Sequence, residues 1–206
     1  MLKSASSIKA GVGRTGFEMC DLDIRIALRK RLTLEHQHDQ SALVIEELGL
    51  CEGMARVDIA VINGHIEGYE IKSERDTLYR LPGQLEIYGK TLDRVTVVAG
   101  AQHISKIAGL VPQWWGIEEA SCEEGEISFN VIRRPSLNPS IDPHSVVQLL
   151  WRDEAIEVLK DLGLSRGMLT KPRTVLWSKL ADSLPVEELC AIIRTRLSLR
   201  ENWRSL

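Results

Sequence analysis

The sequence predicts an α/β protein: a mixed β-sheet core flanked by helices, with a small helical domain after it. Three observations carry this. Two β-branched runs, Arg56-Val-Asp-Ile-Ala-Val-Ile62 and Gly68-Tyr-Glu-Ile-Lys-Ser73, flank Asn63-Gly64, a pair that tolerates the positive φ of a tight hairpin turn. A third run, Arg94-Val-Thr-Val-Val-Ala-Gly100, follows a helical pattern and suits a crossover that lays it parallel to the 68–73 strand. Beyond the proline-marked stretch 134–143, every apolar pattern has helical spacing.

Taken in order, residues 1–20 form a polar lead-in. Gly11-Val-Gly-Arg-Thr-Gly16 has the glycine spacing of a dinucleotide fingerprint, but no strand precedes it, as that motif requires. From Asp21 to about Leu32 an amphipathic helix is expected, with Ile24, Leu28 and Leu32 on one stripe and Arg25, Arg29 and Arg31 elsewhere. His36-Gln-His38 lies in a polar stretch and reads as a solvated loop rather than a metal site. A strand over 42–48 leads into the hairpin. Asp76 is expected to cap the next helix, which Pro82 either begins or interrupts. Residues 101–110 form another helix, and Trp114-Trp115 are read as covering a core edge. A second hairpin, 116–120 with 126–132, turns at Glu124-Gly125. Three helices follow, over 146–162, 175–184 and 186–199. The division is therefore a lead-in 1–20, a core 21–134, a linker 135–144 and a helical domain 145–206.

At 206 residues, 44% hydrophobic and 27% charged, the chain can bury one substantial core and a small further module. No apolar run is long enough to span a membrane, and the first residues lack the continuous apolar stretch of a secretory signal, so a cytoplasmic protein with no membrane partner is expected. Cys20, Cys51, Cys122 and Cys190 are scattered and specify neither a disulfide framework nor a zinc site. A net charge of −3 argues against extended, high-affinity binding to bare duplex DNA.

Charges are out of place in apolar strands, which makes Asp58, Glu70 and Lys72 the chemically informative residues. Alternation puts Glu70 and Lys72 on one face of their strand, and the hairpin brings Asp58 beside them. They have a plainer alternative, an exposed strand face or a buried salt bridge. Two carboxylates on rigid strands suit a hard cation such as Mg²⁺, and an adjacent ammonium suits orientation of an attacking water. That combination points to metal-assisted hydrolysis of a phosphodiester.

Asp58 followed by Glu70-Ile71-Lys72 resembles the signature of the PD-(D/E)XK nuclease superfamily, with Val57 where a proline sometimes stands. Gln84-Leu-Glu-Ile-Tyr88 is similar to the Q-x-x-x-Y element of RecB-like members, an i, i+4 pair on one helix face. Glu47 resembles the glutamate that some bacterial members add from the preceding strand, and Glu46 is the alternative for that place. More narrowly, the stretch from Asp21 to about Gly116 resembles a group of small bacterial and prophage proteins, mostly uncharacterised.

The resemblance implies a restriction-endonuclease-like sheet and a metal-dependent deoxyribonuclease acting in DNA repair, processing or phage-related defence. It implies Mg²⁺, with Mn²⁺ able to substitute, held by Asp58 and Glu70 with Glu47 as third ligand. Lys72 would activate water, and Gln84 and Tyr88 would steady the phosphate, completing the catalytic set. The alternative is a catalytically silent DNA-binding or regulatory module on the same fold. In the tail, Arg173, Lys179, Arg194, Arg196 and Arg200 allow a helix-turn-helix-like DNA reader. A packing bundle, or a homodimer formed through these helices, accounts for the same pattern.

Overall fold

The computed structural model of the chain describes residues 19–39, 41–200 and 203. The Gly11 to Gly16 motif lies outside them. Helix α1 spans Asp21–Glu35, followed by strand β1 (Leu43–Leu50), β2 (Ala55–Ile62) and β3 (Ile66–Lys72). Helix α2 (Leu81–Thr91) leads to β4 (Arg94–Gly100), α3 (Ala101–Leu110) to β5 (Gly116–Glu123), and β6 (Glu126–Arg133) ends the sheet. Four helices follow: α4 (Pro143–Val146), α5 (Arg152–Asp161), α6 (Arg173–Ser183) and α7 (Val186–Ser198).

The six strands lie side by side in sequence order. β1, β2 and β3 form an antiparallel meander, β4 and β5 run parallel to β3, and β6 closes antiparallel. Helices α2 and α3 supply the crossovers that parallel neighbours need. The architecture is thus a mixed β-sheet flanked by α-helices.

Alternation along the strands feeds two cores. Ile59, Val61, Tyr69, Ile71 and Val98 pack on one face with Ile24, Leu28 and Leu32 of α1. Those three α1 residues are fully buried, worth about 2 kcal/mol each in transfer free energy. On the opposite face Ala60, Ile62, Val95 and Val97 join Leu81 and Tyr88 of α2 and the apolar sides of α5, α6 and α7 in one continuous cluster. The stretch 135–144 is bonded along its length to α2 and to the segments flanking β4 and β5. Ser136 N donates to Trp114 O (2.8 Å), Asn138 Nδ2 to Gly89 O and Leu92 O (2.8 and 2.9 Å), and Asp142 N to Lys90 O (3.0 Å).

Three local expectations need correction. The first hairpin closes at Ile62 and Ile66, a three-residue loop in which Gly64 has φ +87°, rather than a two-residue turn. Asp76 does not cap α2: its Oδ2 accepts from the amide and hydroxyl of Ser73 (2.7 and 2.6 Å), closing the loop after β3. The pattern over 146–162 is broken at Leu150 and Trp151, where the backbone is extended and Glu154 caps the new helix by accepting from Trp151 N at 2.6 Å.

Candidate functional site

The site begins with register. Ile59 faces Tyr69 and Ala60 faces Gly68, so one step further along the hairpin Asp58 lies opposite Glu70. Both face a polar cleft of about 870 Å³, which Glu47, Lys72 and Gln84 also line, together with Arg25, Arg56, Arg80 and Tyr79. Tyr88 stands behind Glu70, fully buried and stacked near Trp115 at a centroid distance of 6.0 Å. The structure therefore brings together all six residues singled out in the sequence.

Their partners are supplied from within the protein. Glu70 Oε1 accepts from Lys72 Nζ (2.5 Å) and Gln84 Nε2 (2.6 Å), and Oε2 accepts from the Tyr88 hydroxyl (2.6 Å). The Lys72 and Glu70 side chains are 4% and 2% exposed, so their charges compensate each other away from water. The Tyr88 oxygen also lies 2.8 Å from Arg56 O; its one proton serves one acceptor at a time, and the charged carboxylate is the stronger. Burial, then the Glu70 charge, pushes the Tyr88 phenol well above its ordinary range. Gln84 Oε1 is buried with no hydrogen-bond partner among the described residues.

Asp58 is similarly engaged. Its Oδ2 accepts from the Ile71 amide and its Oδ1 from Arg25 Nη2, both at 2.7 Å. Burial and then the neighbouring Glu70 push its carboxyl up to about 6, against the opposing pull of the Ile71 amide and Arg25. Arg25, on α1, also pairs with Asp21 at 3.3 Å and with Glu47. Burial lowers the pKa of its guanidinium, but Asp58, Asp21 and Glu47 outweigh burial and hold it above its ordinary range. Glu47 sits across the ladder from Asp58 with φ +57°, a left-handed conformation inside a strand, and spans Arg25 and Arg56. Glu46 points elsewhere and pairs with Arg29 at 2.9 Å.

Arg25 is the participant that sequence reasoning passed over. Its signal was faint: it directly follows the buried Ile24, at the margin of the apolar stripe, where a long side chain can turn toward the sheet.

In the tail, four of the five cations expected to read DNA are engaged internally. Arg194 clamps Asp93, Arg196 pairs with Glu157 and Asp161 (2.9 and 2.5 Å), and Arg200 pairs with Glu154 while lying over the rings of Trp151 and Trp203. Arg173 lies over Trp177 and pairs with Glu52.

The fold and site thus define an α/β protein whose buried acid and lysine cluster is closed on itself. The chain belongs to the bacteriophage P4 protein cII family, which it matches over residues 19–205. Protein cII of Enterobacteria phage P4 is 27% identical over 163 residues, covering 78% of this chain and 62% of the phage protein. Among solved structures, the SPO1766 protein of unknown function from Silicibacter pomeroyi is 17% identical with a TM-score of 0.40, over 71% of this chain and 92% of that one; a likeness of that size carries no argument.

The family replaces the PD-(D/E)XK nuclease superfamily inferred from motif spacing. With that, the expected metal-dependent deoxyribonuclease, and its place in repair, processing or defence, is corrected as well. The described residues contain no group of three or more His, Cys, Asp or Glu placed to hold a metal ion. This corrects the expected Mg²⁺ or Mn²⁺ cofactor. The physical reason lies in the contacts: Arg25 supplies the positive charge beside Asp58, and Lys72, Gln84 and Tyr88 fill the acceptor positions of Glu70. Among the described residues no helix is long and apolar enough to cross a membrane.

Proposed function

We propose that this chain is a DNA-binding or regulatory module without turnover, in which the Asp58, Glu70 and Lys72 cluster fixes the end of the sheet. The observation that carries this reading is the closure of the cluster: each oxygen of both carboxylates has a donor from the protein itself. Membership of the phage P4 protein cII family supports it. Gln84 and Tyr88 then act by holding Glu70, and Glu47 by holding Arg25. The β1 to β3 meander followed by parallel β4 supports a restriction-endonuclease-like topology for the scaffold.

The division into core 21–134, linker 135–144 and helical domain 145–206 stands as a proposal about chain organisation, supported by the order of elements. The lead-in 1–20 lies almost wholly outside the described residues. A homodimer through the C-terminal helices is supported by the groove between α5 and α7, lined by Val158, Leu162, Ala191 and Ile192. Cytoplasmic residence is supported by four free cysteines.

The test is a gel-shift and integrity assay on labelled DNA, with and without Mg²⁺ or Mn²⁺. A retarded, uncut probe in every lane is the expected result. Metal-dependent cutting that disappears in Asp58→Asn would overturn the reading.

A further inference from the structure

Charge is unevenly distributed along the tail. Between Leu162 and Ala181 the sequence has four cations, Arg166, Lys171, Arg173 and Lys179, and no acid, so all 29 acidic residues of the chain lie elsewhere. The segment joins α5 to α6 and continues through most of α6.

The loop has a defined shape. Gly163 and Gly167 take φ of +70° and +73°, and two successive turns are closed by Met168 N to Ser165 O (3.0 Å) and Lys171 N to Met168 O (2.9 Å). Arg152 Nη2 reaches across from α5 to the carbonyls of Leu169 (2.7 Å) and Lys171 (3.3 Å). Leu176, Trp177 and Leu180 turn inward, leaving Thr174, Val175 and Ser178 exposed. Val175 and Lys179, at i and i+4, share one side of α6, and Lys171 lies two residues before its first turn.

Arg166 and Lys171 are exposed, Lys179 is half-buried, and none of the three has an acidic partner among the described residues. Of the cations lining the polar cleft, Arg25, Arg56 and Lys72 are each held by a carboxylate, while Arg80 has no acidic partner among the described residues. Unpaired cations with hydroxyls between them, on a stretch free of acids, complement a row of phosphates.

We propose that the α5 to α6 loop and the outward side of α6 form a contact surface for the phosphodiester backbone of duplex DNA, with Arg166, Lys171 and Lys179 as the phosphate-binding cations. The proposal rests on the DNA-binding reading above and assigns it a location away from the acid-lined cleft. Contacts of this kind set position and affinity without reading sequence.

The experiment is fluorescence anisotropy of a labelled duplex across a salt series, with three proteins. They are the wild type, the triple variant Arg166→Gln/Lys171→Gln/Lys179→Gln, and the charge-matched control Lys30→Gln/Lys106→Gln/Arg134→Gln. The triple variant should lose on the order of tenfold or more in affinity at low salt and flatten the log–log salt slope by about 2 to 3, while the control changes less than about threefold. Circular dichroism checks the fold, and single Arg166→Gln and Lys171→Gln variants, each flattening the slope by about 1, replace the triple if it unfolds. Equal losses in the triple variant and the control, or none in either, overturn the assigned surface. A wild type that does not bind the duplex overturns the DNA-binding reading as well.

Discussion

Asp93, immediately before β4, is held by Arg194 of α7 through two parallel hydrogen bonds, Nε to Oδ2 at 2.9 Å and Nη2 to Oδ1 at 2.5 Å. Asp93 is 4% exposed, and its Oδ2 also accepts from the Ile66 amide at 2.7 Å. The pair thus joins the last helix to the centre of the sheet.

Arg194→Ala should therefore leave a buried carboxylate without its cation, at a cost of about 3 kcal/mol or more. Urea denaturation measures it. Arg194→Lys should recover only part, because an ammonium cannot reproduce the two-pronged geometry. A shift below about 1 kcal/mol for Arg194→Ala would show that α7 is not anchored here.

Lys72→Met should destabilise the fold by about 3 to 5 kcal/mol, since Glu70 is then buried with its charge unpaired. Replacing both residues, as Lys72→Met/Glu70→Leu, should cost much less than the sum of the single changes. A double-mutant cycle on thermal or urea unfolding reads the coupling directly. Additive effects would mean that the two side chains do not depend on each other, and the closed cluster would lose its main support.

The raised pKa of Asp58 has a defined sign. A carboxyl near 3.9 in the unfolded chain and about 6 in the folded one takes up protons on folding between those values. Its contribution is full below about pH 4 and is lost as the pH rises through about 6, by up to about 3 kcal/mol. Relative to Asp58→Asn, the wild type should therefore lose stability across that window. Parallel stability curves for the two proteins from pH 4 to 7 would refute the assignment.

Gly116, where β5 begins, admits no larger residue. A Cβ there would lie 2.6 Å from Thr96 Oγ1, 2.8 Å from Pro135 Cδ and 3.1 Å from Pro135 N. Because backbone as well as side chain must give way, Gly116→Ala should cost about 1 to 3 kcal/mol. An unchanged melting temperature would show that the 135–144 stretch yields freely.

The hairpin could be read from the sequence because period-two alternation and the Asn63-Gly64 pair act locally, and the same pattern brought Asp58 and Glu70 together. What filled their acceptor positions could not be read. Arg25 reaches Asp58 across 33 residues only because α1 packs on the sheet, and no local pattern records that approach. An acid, a second acid and a lysine are as suitable for a metal site as for a closed ion-pair cluster, and the difference lies in donors brought from elsewhere. The break at Trp151 was missed for a related reason: apolar spacing runs through it, and the Glu154 cap decides the boundary. Among the tail arginines, residue type gave no sign of which would meet an acid on a neighbouring helix.

The clamp between Asp93 and Arg194 also bears on how the chain is made. Its partners are 101 residues apart, so at about 5 to 20 residues per second the sheet waits on the order of ten seconds after Asp93 is synthesised before α7 can reach it. During that interval Val95, Val97 and the apolar side of α2 lack their final cover, so the nascent sheet exposes apolar surface until α7 has been made.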